Sequence, residues 1–160
     1  RFPYKAAAYE LCSHRHFGEV DGVGENFAGP RVAIYALSDQ RVYQVTAKAE
    51  EEKVMPGGTV RVRIGFKTTD KEAKPLDLRP LQITVHDPSN QELPGYRRVI
   101  LASGDPVSLE VPVALNAAPG RSNVRVFDVF TGQEARAWFV VPKPEAPKPK
   151  PKPKPKAKGK

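Results

Sequence analysis

The fold class this sequence predicts is all-β. It expects an immunoglobulin- or fibronectin-III-like antiparallel sandwich, preceded by strands of different texture and followed by a disordered Lys-Pro tail. Three observations lead there. Between Arg41 and Val141 apolar residues recur at every second position, helical spacing is nearly absent, and turn residues punctuate the chain at short intervals.

In chain order, the sandwich strands are expected near 42–50, 59–68, 80–87, 96–102, 106–114, 122–130 and 135–141. The clearest run is Val60, Val62, Ile64 and Phe66, with Arg61, Arg63 and Gly65 on the other face. Leu81, Ile83 and Val85 repeat the pattern, as do Leu109, Val111 and Val113. Pro56-Gly57-Gly58, Asp87-Pro88-Ser89-Asn90 and Pro119-Gly120 supply the turns, because glycine admits positive φ and proline fixes φ while removing a donor. Ser103-Gly104-Asp105 reads as a hairpin turn, and Thr131-Gly132-Gln133 as the turn joining the last two strands. Trp138 is expected to anchor the core. The immunoglobulin cysteine pair is missing, which favours the fibronectin-like version.

Residues 1–39 differ. Tyr4 to Leu11 and 31–37 read as strands, and Gly18 to Pro30 as turns and loop. A few strands cannot bury a core alone, so they either add to the sandwich or are the closing strands of a preceding β-domain, the reading favoured here. The division expected is therefore 1–39, 40–141 and a tail from 142 to 160.

The formal charge of +8 is local. Lys143 to Lys160 holds eight lysines against Glu145, while the rest carries 18 basic against 17 acidic residues. Lys and Pro alternate there, giving a segment without apolar residues for a core. Lys148, Lys150, Lys152, Lys154 and Lys156 would attract polyanions such as acidic polysaccharide or a lipid surface. With no aromatic or Arg in the tail, sequence-specific nucleic-acid recognition is disfavoured. One cysteine, Cys12, excludes an intramolecular disulfide. Arg1-Phe2-Pro3-Tyr4 lacks both an initiator Met and signal-peptide order, so the natural start is expected upstream.

Candidate chemistry is sparse. Cys12, His14 and His16 alternate, so on a strand all three would share a face and form a weak metal site; an incidental exposed strand or turn is the stronger reading. No Gly-x-Ser-x-Gly elbow exists to place a catalytic serine, and no cofactor is expected, since Gly18, Gly22, Gly24 and Gly57-Gly58 precede no helix that could receive a phosphate. Glu50-Glu51-Glu52 reads as a solvated loop, and Asp128 as a turn-stabilising acid in an apolar strand. His86 is the one remaining histidine.

A resemblance adds to this. Ile83-Thr84-Val85-His86-Asp87-Pro88-Ser89, Tyr96, the run Val111 to Gly120 and the run Val124 to Gly132 resemble the C-terminal sandwich of large bacterial exported proteins. Those proteins carry a glycoside-hydrolase-like or β-galactosidase-trimerisation-like region upstream. Ala8-Tyr9-Glu10-Leu11, Phe17-Gly18-Glu19 and Ile34-Tyr35-Ala36-Leu37 are similar to closing strands of the domain before that sandwich. The resemblance implies a secreted or envelope location and a link to carbohydrate processing, with no catalytic residue carried over.

The function expected is a non-catalytic accessory module that packs on upstream domains of the same polypeptide. A carbohydrate-binding domain is the first alternative, with Tyr35, Tyr43 and Tyr96 as stacking candidates. A glycoside-hydrolase fragment is the second, with Glu10, Asp21 or Glu25 lining a cleft.

Overall fold

The computed structural model describes residues 1–24, 29, 32–68 and 76–143. Glu25 and the run containing Lys148, Lys150, Lys152, Lys154 and Lys156 lie outside the described residues. Among those described the protein is nearly all β, with three antiparallel sheets and one 3-10 turn, Pro94–Tyr96.

The first sheet holds β1 (Ala6–Glu10), β2 (Arg15–Val20) and β3 (Tyr35–Ser38), in the order β2-β1-β3. The second has β4 (Val42–Ala49), β5 (Thr59–Thr68) and, after two intervening strands in sequence, β8 (Val107–Pro112), in the order β4-β5-β8. The third contains β6 (Arg79–His86), β7 (Arg98–Ala102), β9 (Gly120–Asp128) and β10 (Glu134–Val141), in the order β10-β9-β6-β7.

Alternation builds the core. Val60, Val62 and Ile64 of β5 are buried while Arg61 and Arg63 face water. Leu81, Ile83 and Val85 of β6 and Val124 and Val126 of β9 meet them from the third sheet, giving one shared core between the second and third sheets. That is the packing of a β-sandwich. Its open side is closed where β10 meets the chain ahead of β5: Val54 N–H donates to the Val140 carbonyl at 3.0 Å.

The seven expected sandwich strands correspond to β4 through β10. β7 starts later than expected because Pro94–Tyr96 folds into the 3-10 turn, with the Arg97 N–H bonded to the Pro94 carbonyl. Three expectations are corrected. Trp138 is 40% exposed on the outer face, because Ala137, Phe139 and Val141 hold the inward positions of β10. Ser103-Gly104-Asp105 is not a hairpin turn: β7 pairs with β6 and β8 with β5, so this connection crosses from the third sheet to the second. Gly18 to Val20, read as the start of a loop, instead complete the strand Arg15–Val20; it pairs with β1 across a bulge between Ala7 and Tyr9, and Gly18 takes φ +81.

Candidate functional site

The most elaborate chemistry lies where the first sheet meets the sandwich. Asp128 ends β9 on its inward face, and its carboxylate accepts the Phe130 N–H at 3.0 Å and the Thr131 hydroxyl at 2.7 Å. The turn-stabilising role expected for Asp128 is therefore present. A second role was not visible: Asp128 also accepts from Arg79 Nη2 at 2.8 Å, with both side chains fully buried. The register Leu81↔Asp128 brings Arg79, at the head of β6, to that carboxylate.

The Arg79 guanidinium lies 5.3 Å from the Tyr9 ring centroid and 4.7 Å from that of Phe130. Desolvated cation–π contacts of this kind contribute roughly 2 kcal/mol. They compensate in part for Nε and Nη1, buried with no hydrogen-bond partner among the described residues. Tyr9 belongs to β1, and its hydroxyl oxygen accepts the Val42 N–H at 3.3 Å. Ala7, Tyr9, Ala36, Leu11 and Phe130 make a second apolar cluster, so part of the small sheet's apolar surface closes on the β9–β10 turn of the sandwich.

Beside Tyr9, Glu10 is buried and clamps the turn after β1. It accepts the Ser13 hydroxyl at 2.5 Å and the N–H groups of Cys12 and Ser13 at 3.1 and 2.7 Å. The Ser13 hydroxyl first, then these N–H groups, favour its carboxylate form and hold it at about 2, against an ordinary 4.5.

This clamp explains why the Cys12, His14 and His16 alternation does not build a metal site. Residues 11–14 form a turn rather than a strand, and His14 adopts φ +54. Among the described residues no group of three His, Cys, Asp or Glu side chains is placed to hold a metal. Cys12 is exposed. His14 packs edge-on against Phe127 at 5.5 Å, and His16 lies 4.8 Å from the Tyr9 ring.

The two histidines line a cleft of about 140 Å³ with Tyr9, Arg41, Tyr43 and Gln133 among its other walls. His14 Nδ1 and His16 Nε2 are themselves shielded from water, without a hydrogen-bond partner among the described residues. Burial, and then the charge of Arg41, push the proton affinity of His16 down. Gly132 makes room for the His14 ring: it takes φ +70, and a Cβ on it would sit 2.6 Å from His14 Cγ. A larger hollow of about 280 Å³ opens at the other end of the sandwich, among Val85, Leu93, Tyr96, Val113, Phe139 and Val141. Asp87 is the one charged residue among the described residues that line it.

The other candidates are dispersed. Tyr35 is half-buried between Phe2 and Phe17, with ring centroids 5.9 and 6.0 Å away. Tyr43 is 48% exposed at the His-lined cleft, and Tyr96 is half-buried at the far hollow. Antiparallel pairing puts those two at opposite ends of β5, since Val42 faces Thr68 and Pro112 faces Thr59. Asp21 is exposed and serves through its carbonyl, which accepts the Phe2 N–H. His86 bonds Thr84 and the Asn90 carbonyl, a structural pairing. Glu51 holds Arg61 at 2.9 Å in the connection between β4 and β5.

No protein-family model matches this chain, and no curated protein does. Among solved structures it is similar to the alkylpurine DNA glycosylase AlkC of Pseudomonas fluorescens, bound to DNA containing an abasic site analog. That match has 14% identity and a TM-score of 0.44, over 66% of this chain and 31% of the glycosylase. It is also similar to a conjugative transposon lipoprotein of Bacteroides eggerthii, with 18% identity and a TM-score of 0.37, over 62% of this chain and 97% of that one. A third is a β-glucosidase of Listeria innocua, with 11% identity and a TM-score of 0.41, over 75% of this chain and 19% of the enzyme. The chain thus spans less than a third of the glycosylase and about a fifth of the glucosidase. Among the described residues no helix is long and apolar enough to cross a membrane.

Proposed function

We propose that this chain is a non-catalytic accessory module of a larger secreted or envelope protein linked to carbohydrate processing. In this reading a fibronectin-III-like sandwich holds an adjoining β-sheet in a fixed orientation, and the Lys-Pro run contacts anionic polymers. The observation that carries it is the junction: Arg79, buried in the sandwich and paired with Asp128, is covered by Tyr9 of the small sheet. A buried charge pair of this kind tolerates little displacement, because a shift leaves a charge without its partner. The two buried acids among the described residues, Glu10 and Asp128, are engaged in turn and junction bonds, which supports a structural rather than a catalytic use.

The strand order supports the fibronectin-like assignment. β4-β5-β8 faces β10-β9-β6-β7, and the fourth sandwich strand, β7, lies beside β6 instead of beside β8 as in the constant-type immunoglobulin arrangement. On this reading residues 1–39 are the closing part of the neighbouring β-unit.

Binding of the whole chain, and of a chain ending at Lys143, to neutral polysaccharides, anionic polysaccharides and duplex DNA tests the proposal. Expected is salt-sensitive binding to anionic polymers that disappears with the truncation. Binding of the truncated chain to a neutral glycan would overturn it and make the sandwich a carbohydrate-binding domain.

A further inference from the structure

The larger hollow, at the far end of the sandwich, goes beyond that reading. We propose that it is the docking site of the chain's own residues 144–147, which cross its mouth and fix the root of the lysine-rich run.

Three observations converge. First, the hollow has an apolar wall that a ligand can reach: Leu93, Tyr96, Ala114 and Ala117 line it half-buried, and Pro112 and Ala118 line it exposed. Second, the described chain runs out on that wall. β10 ends at Val141, a lining residue, and residues 144–147 begin three positions later. The Pro94–Tyr96 turn packs beside β6, and only β9 stands between β6 and β10. Two strand spacings amount to about 10 Å. The stretch from Val141 to Pro147 reaches up to about 20 Å when extended, so it can cross to Tyr96.

Third, the segment suits the wall. It reads Pro-Glu-Ala-Pro, the one place between Pro142 and Lys156 where the alternation of Lys and Pro is broken. At three residues per turn of a polyproline II helix, Pro144 and Pro147 share a face, and prolines so spaced dock in aromatic-lined grooves. Neither ring carries an N–H, so both can press against carbon without leaving a donor unpaired.

Charge agrees with this placement. Asp87 is the one charged residue among the described residues lining the hollow, and its Oδ1 accepts the N–H groups of Ser89 and Gln91 at 2.9 and 2.8 Å, which fixes the carboxylate. Lys148 follows Pro147 directly and would meet that carboxylate once the two rings are seated. A solvated pair of this kind sets direction more than strength. The lysines from Lys150 onward would stay free to project.

The test compares the full chain with its Pro144→Ala/Pro147→Ala variant by nuclear magnetic resonance, each at two protein concentrations. Neither substitution touches a described residue, and the Tyr9 and His14 signals, at the opposite end of the sandwich, report separately that the fold is kept. Nuclear Overhauser contacts from the Tyr96 ring to the Pro144 or Pro147 ring are expected in the full chain. In the variant they should vanish, and the Leu93, Tyr96 and Ala117 amides should shift while those of Tyr9 and His14 stay in place. Hollow signals identical in the two chains would overturn the proposal. So would Tyr96 contacts to other prolines of the tail, or contacts that fade on dilution, which would put a second copy's tail in the hollow.

Discussion

Arg79 is the residue whose importance the sequence hides most completely. It sits in a stretch of alternating strand residues as one more basic side chain, and only the register that sets Leu81 opposite Asp128 reveals its burial. Asp128 was legible as a turn acid because an acid two and three residues before Phe130 and Thr131 can bond its own turn; its charge partner, 49 positions away, was not. Replacing Arg79 by Ala should cost about 3–5 kcal/mol in urea unfolding, because it leaves Asp128 buried and unpaired. Glu10 makes a pH prediction. Its folded carboxyl titrates at about 2 and its ordinary value is 4.5. The fold thus favours the ionised form, a contribution complete above pH 4.5 and lost as pH falls toward 2. The unfolding midpoint of wild type should exceed that of Glu10→Gln at neutral pH, and the gap should close across that interval.

At the scale of elements, alternation located β4 to β10 well because each strand buries one face against a common core. It failed where that condition fails. All of β1 is buried, from Ala6 to Glu10, whereas β2 is nowhere fully buried, so neither shows a clean period of two; the second half of β2, from Gly18, looked like loop. The error over Trp138 came from weighing ring size above parity: Arg121 covers that ring at 4.3 Å on the outer face while its neighbour Phe139 enters the core. Calorimetry should therefore separate the two neighbours. Phe139→Ala should cost about 3–5 kcal/mol, and Trp138→Ala about 1 kcal/mol or less. In the β9–β10 turn, Gly132→Ala forces a side chain onto a left-handed φ of 70° and into His14. A loss of about 1–3 kcal/mol is expected, together with a displaced His14 ring resonance.

Over the whole molecule, residues 143–160 hold eight lysines against one Glu, while the rest carries 18 basic against 17 acidic residues. The sandwich was readable from one-dimensional periodicity; the junction was not, because it is assembled from β1, the start of β4, the head of β6 and the β9–β10 turn. Cys12, His14 and His16 stood out in the sequence, but the turn over residues 11–14 and the φ of +54 at His14, which end the alternation that would set all three on one face, did not. The claim on which the functional account stands is that the small sheet and the sandwich behave as one rigid unit. Native-state hydrogen exchange measures this directly. The account predicts that the amides of Ala8 and Tyr9 open with the same free energy as those of Val124 and Val126, and that Arg79→Met lowers both sets. Fast exchange throughout β1 to β3 while the sandwich stays protected would contradict it, and would make the small sheet a loosely attached appendage.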